Sequence, residues 1–103
     1  MALVHTLMNL RDEGLVDRFD LINEERARVH LISGRSIIVY MSKDYIVGVP
    51  AITEAVVGDP RADYIVYNHW DRPTELAFSK AKELGVPFLI YNEFRRRIRD
   101  GIL

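Results

Sequence analysis

ADYIVYNHWDRPTELAFSKAKELGVPFLIYNEF, residues 62–94, decides how the whole chain is to be read. Its two apolar runs, YIVYN and VPFLIY, show no polar alternation, as expected of strands buried on both faces in a parallel sheet. Between them Leu76, Ala77, Ala81 and Leu84 recur at helical spacing, with Pro73 early in the helix and Gly85 just past its end. Strand, helix, strand in this order is a βαβ unit with a right-handed crossover.

Upstream, Pro50 opens AITEAVVGDP, whose apolar stripe at Ile52, Val56 and Val57 predicts a short helix ending at Gly58-Asp59-Pro60. From Asp17 the period falls to two. Phe19 and Leu21 alternate with Asp20, and Val29 and Leu31 with His30; Ser33-Gly34 then supplies a turn before SIIVYM. These segments predict a three-stranded meander. At the start, ALVHTLMNLRDEG places Leu3, Leu7 and Leu10, with Val4 and Met8, on one face of an amphipathic helix stopped at Gly14. Downstream, Asn92 is positioned to cap a last helix in which Phe94 and Ile98 face inward. The DYIV of residues 44–47 returns at 63–66, which predicts two similar buried strands rather than a repeat. The expected architecture is one small α/β domain over residues 1–103, with a mixed central sheet and the order α-β-β-β-α-β-α-β-α.

Composition narrows the possibilities. A chain of 103 residues, 49% hydrophobic and 28% charged, suffices for one hydrophobic core. The absence of cysteine removes disulfides, thiolate chemistry and cysteine-bound zinc, and a net charge of −1 gives no overall attraction to nucleic acid or anionic lipid. No apolar run approaches the ~20 residues of a membrane span, and residues 1–10 lack the basic start and cleavage site of a secretory signal. A cytoplasmic protein without membrane contact is expected.

Two places can carry chemistry. The segment Asn68, His69, Trp70, Asp71 lies beyond the carboxyl end of a parallel strand, where open α/β sheets gather ligands. There Asn68 can hydrogen-bond a base or phosphate, Trp70 can stack, and His69 with Asp71 can move protons or hold a metal. The same residues also suit a plain turn, with Asp71 and Thr74 capping the helix, Asn68 closing the strand and Trp70 covering the edge of the core. The second place is RRRIR, residues 95–99, in which Arg95, Arg96, Arg97 and Arg99 offer a local basic patch or a solvated helix face. Zinc chemistry would need about three protein ligands, and His5 and His30 sit on elements that need not converge with His69. Gly-rich phosphate loops are absent, and Ser33, Ser36, Ser42 and Ser79 lack a nucleophile-elbow context.

The order of elements resembles the PD-(D/E)XK restriction-endonuclease-like superfamily, and so does some local text. FDLI at 19–22 resembles the strand that carries the family's metal-binding aspartate, which falls on Asp20. SIIVYMSK at 36–43 resembles the strand ending in the (D/E)XK triplet, here Met41-Ser42-Lys43, so the lysine is present and the carboxylate is not. Glu54 or Asp44 would have to replace it, and strand alternation counts against Asp44. ADYIVYN…AKELGVPFLIYNEF is also similar to the second half of a BRCT domain, although the short AITEAVV segment fits the BRCT order badly. The resemblance implies a nuclease-like domain that is catalytically degenerate and binds DNA, RNA or a protein partner. The alternatives are an active Mg²⁺-dependent phosphodiesterase, with Asp20 as metal ligand and Lys43 steadying water or phosphate charge, and a BRCT-type protein-interaction module. Pairing with a second copy of the chain is also expected from the small size of the sheet.

Overall fold

The computed structural model describes residues 3–103, so Ala2 of the expected first helix lies outside the described residues. The expected order holds, with two short strands added. Helix α1 (Leu3–Asp12) leads into the meander β1 (Val16–Leu21), β2 (Arg26–Leu31) and β3 (Ser36–Tyr40). Then follow β4 (Ile46–Val47), α2 (Val49–Val57), β5 (Tyr64–Tyr67), β6 (Arg72–Pro73), α3 (Glu75–Leu84), β7 (Phe88–Ile90) and α4 (Tyr91–Asp100).

The main sheet runs β1-β2-β3-β5-β7, antiparallel within the meander and parallel from β3 to β7. Each face carries its own core. Leu3, Leu7 and Leu10 of α1 and Phe94 of α4 pack with Val29, Ile37, Val39, Met41 and Val66 on one side. Ile52 and Ala55 of α2 and Ala77 and Ala81 of α3 pack with Ile38, Tyr40 and Ile65 on the other. Tyr64, Ile65 and Val66 of β5 are therefore buried from both sides, which is why that strand shows no alternation.

Several finer expectations are corrected. VPFLIY forms the sheet's edge, so its strand is only half-buried. The DYIV at 44–47 is not a second central strand: Ile46 is exposed, and only Ile46–Val47 pair, with Arg72–Pro73 in a separate two-stranded sheet. Pro73 thus sits in β6, outside α3. Asn92 does not cap α4, because β7 runs into that helix without a loop and Ile90 occupies the N-cap position. Met8, Leu21, Val57 and Leu76 project into solvent, while Thr6 is buried.

The most consequential side chain is a charged one. Arg26 is only 2% exposed, and its guanidinium reaches from β2 to the end of α2. Nη1 donates to the carbonyls of Ala55 (3.0 Å) and Pro60 (2.6 Å), and Nη2 to that of Glu54 (2.8 Å). The ring of Tyr40 lies 5.2 Å below the charge. A helix C-terminus leaves carbonyls without partners and carries partial negative charge, so a cation with several donors satisfies both needs. Gly58, the C-cap, has φ −62 and needs no glycine for its backbone conformation. Space is what it lacks: a Cβ there would lie 2.1 Å from Arg26 Nη2 and 2.8 Å from the Glu54 carbonyl oxygen.

Gly58→Ala is therefore expected to destabilise the fold by about 1–3 kcal/mol through overpacking. Arg26→Met, which takes the donor from the Pro60 carbonyl and one of two donors from those of Glu54 and Ala55, should cost about 1–3 kcal/mol. Urea denaturation measures both, and an unchanged midpoint in Gly58→Ala would contradict the packing described.

Candidate functional site

The loop after β5 is held at both ends. Asp71 Oδ2 accepts the backbone N–H of Asn68 at 2.9 Å, and the Asp71 N–H donates to the Asn68 carbonyl at 3.0 Å. Beyond it, the Arg72 N–H donates to the Tyr45 carbonyl (2.8 Å) and the Thr74 N–H to that of Val47 (3.0 Å), the bonds that make β4 and β6 a sheet. Thr74 is the N-cap of α3, its hydroxyl accepting from the Ala77 N–H at 3.0 Å. Of the two residues expected to cap this helix, Thr74 does so; Asp71 instead closes the turn, because it lies three residues too early to reach α3's free N–H groups.

At the tip of this pinned loop stand His69 and Trp70, ring centroids 4.8 Å apart and planes at 77°. Trp70 does not cover the core edge; it is 49% exposed. Beside the pair opens a cleft of about 330 Å³ lined by His5, Thr6 and Asn9 of α1, the loop residues Asn68, His69 and Trp70, and Tyr91 and Asn92 at the start of α4. It lies past the carboxyl ends of β5 and β7, the place that open α/β sheets use for ligands.

Asn68 is 5% exposed and lines this cleft. Its Nδ2 donates to Met41 Sδ at 3.6 Å, and the Thr6 hydroxyl approaches the same sulfur at 3.9 Å. A thioether is a weak acceptor, so the amide keeps most of its hydrogen-bonding capacity for a ligand. Burial pushes the Tyr91 hydroxyl above its ordinary pKa, aided by the Glu13 carboxylate and opposed by Arg95, which keeps the phenol a donor at neutral pH. The cleft therefore combines amides, a phenol, imidazoles and an exposed indole, a set suited to hydrogen bonding and stacking on a planar ligand.

Asp20 and Lys43 are not brought together. Asp20 stands opposite Arg28, which stands opposite Ile38, so it shares the face of Ile38 and not that of Met41. It accepts from His30 Nε2 at 2.8 Å, and this bond, with minor help from Arg18 and Arg28, holds its carboxyl below the ordinary range. Lys43 Nζ lies 3.8 Å from Glu24, and its N–H donates to Glu25. Glu54 points toward Arg26 at 3.9 Å, and Asp44 follows a turn closed by Ser42. No cluster of three His, Asp or Glu side chains able to hold a metal occurs among the described residues. These side chains do not fit the Mg²⁺ centre that the nuclease resemblance implies, since a thioether replaces the oxygen ligand such a cation requires.

The arginines of α4 are engaged within the chain. Arg95 binds Glu13 of the α1–β1 junction through Nε at 2.8 Å, Arg96 and Arg97 converge on Glu93, and Arg96 also meets Asp100 at 3.2 Å. Arg99 reaches its neighbour Asp100 at 3.4 Å. The Glu93 carboxyl is drawn down to about 2 by hydrogen bonds from Arg96 and Arg97.

His5, Thr6, Asn9 and Tyr91 were not legible as site residues. The only hint was that His5 and Asn9, four apart, interrupt an apolar helix; the helix docks them against a loop sixty residues away. The chain matches no protein-family profile, no curated protein and no solved structure.

The Glu93 pairings predict a pH dependence. A depressed carboxyl pKa contributes stability that is complete above its ordinary value of 4.5 and lost as pH falls toward about 2. The melting-temperature difference between the unaltered chain and Glu93→Gln should be constant above pH 4.5 and shrink below it. A difference independent of pH would mean that the pairs contribute nothing.

Proposed function

We propose that this chain is a nucleic-acid-binding domain of degenerate nuclease-like architecture, whose cleft beside Trp70 receives an unpaired base of a single strand. The observation that carries this reading is the hydrogen-bonded loop Asn68–Thr74, which presents exposed Trp70 next to buried, cleft-lining Asn68. A ring to stack on and an amide for the base edge are what recognition of unstacked bases uses. The side-chain chemistry at Met41 favours binding over Mg²⁺-assisted hydrolysis in this reading. Phosphates would have to compete with Glu13, Glu93 and Asp100 for the α4 arginines, so a shallow salt dependence goes with it. A protein partner at the same loop is the second reading, favoured by the exposure of an aromatic side chain on a fixed turn.

Trp70 is the sole tryptophan, so its emission reports on the site alone. Single-stranded oligonucleotides should quench it more than duplex of the same length. Trp70→Ala should weaken binding by about 1–3 kcal/mol, roughly 5- to 150-fold. Asn68→Ala should change which base is preferred. If neither single strand nor duplex perturbs Trp70 or the ¹⁵N resonances of the cleft, the nucleic-acid reading fails and a protein partner becomes the working assumption.

A further inference from the structure

On the sheet face away from the cleft, α2 and α3 cover β3, β5 and β7, and none of the second core's residues comes from β1 or β2. That open corner holds a chain of three side chains on three adjacent strands. Ser36 Oγ lies 2.8 Å from His30 Nδ1, and His30 Nε2 lies 2.8 Å from Asp20 Oδ2. His30 and Ser36 are direct cross-strand partners, and Asp20 lies two residues from Arg18, His30's partner on β1.

The hydrogen-bond directions follow from the groups. An ionised Asp20 only accepts, so the neutral ring carries its proton on Nε2. Nδ1 is then a free base, and the Ser36 hydroxyl is the donor that meets it. The sequence serine to imidazole to carboxylate has the polarity of a nucleophilic relay, with the two ring nitrogens exchanged relative to the protease arrangement. Ser36 is exposed, while the His30 side chain is 19% exposed and so held in place. Arg18 Nη1 lies 3.8 Å from Asp20 Oδ2, and Arg28 stands opposite Asp20 on the same face, so two cations favour the ionised carboxylate that positions the ring.

We propose that Ser36 is a reactive nucleophile, with His30 as its general base and Asp20 as the residue that positions the ring, acting on small activated esters that approach from solvent. In the acyl step a bond forms from Ser36 Oγ to the carbonyl carbon as its proton passes to His30 Nδ1. The bond to the leaving alkoxide then breaks, and that oxygen takes the proton. Water adds to the acyl-serine by the same route, releasing the acid and restoring the hydroxyl. Ser36 is exposed, so solvent screens the oxyanion and only substrates with good leaving groups are expected to react.

A fluorophosphonate probe tests this on the whole chain: an Oγ–P bond forms, the P–F bond breaks, and fluoride leaves. The expected result is one adduct per chain, mapped by mass spectrometry to Ser36 and absent in Ser36→Ala. His30→Gln should slow labelling about 100-fold, the lower range for a lost general base. Asp20→Asn should slow it too, with partial recovery in Asp20→Glu, a pattern that loss of fold would not produce. Circular dichroism checks each variant, and His30→Asn stands in if His30→Gln unfolds. Absence of an adduct on the unaltered chain overturns the proposal, as does an adduct elsewhere or labelling of both His30 variants at the native rate. Trp70→Ala should label normally, which keeps this result separate from the fate of the cleft.

Discussion

The buried guanidinium of Arg26 is the interaction on which the arrangement of this domain depends. It belongs to the antiparallel meander, and its hydrogen-bond acceptors belong to the first parallel crossover. A charge taken out of water is costly unless its donors are met. Here three carbonyls and an aromatic face meet it: those of Glu54 and Ala55 also accept the Gly58 and Ala62 N–H groups, and that of Pro60 lies just beyond the helix end. Each side solves the other's problem, and the joint between the two halves is therefore specific in register. Burial also drives the Tyr40 hydroxyl up to about 12, so the ring under the guanidinium stays neutral across the working pH range.

With that joint set, the parallel strands end where α1 and α4 can flank them, and the loop after β5 has a fixed floor. The small β4–β6 sheet is what turns this loop into a platform. Its hydrogen bonds occupy backbone groups that a free loop would give to water, beneath the exposed His69 and Trp70. Met41 completes the floor, receiving two weak hydrogen bonds where the nuclease pattern would place a carboxylate. The soft sulfur is a poor ligand for a hard cation, and Arg95 and Arg96 are already paired with Glu13, Glu93 and Asp100.

The two faces of the sheet carry different kinds of sites for one reason. Four helices are enough to cover one face along most of its width and the other only over β3, β5, β7 and the Arg26 end of β2. The corner left open must be polar, and Arg18, Asp20, Arg28, His30 and Ser36 fill it. Once polar groups stand in cross-strand register, hydrogen-bonded chains between them follow from strand spacing alone.

Much of the architecture was legible in the sequence because it is written in short-range spacing. The apolar run at Tyr64–Tyr67, the helical recurrence of Ala77 and Ala81, and the alternation around Val29 need only neighbouring residues to be read, and they determined the element order. The position of Asn68 to Asp71 at a strand end followed from the same order. What only the tertiary structure decided is which distant side chains meet. Arg26 carried no signal in the sequence, Asn92 read as a cap, Leu76 as part of the helix's apolar recurrence, and His5, His30 and Ser36 as unrelated polar residues. Their roles depend on strand register and helix docking, which are set by the collective packing of two cores, and no local pattern of residues encodes a partner thirty or sixty positions away.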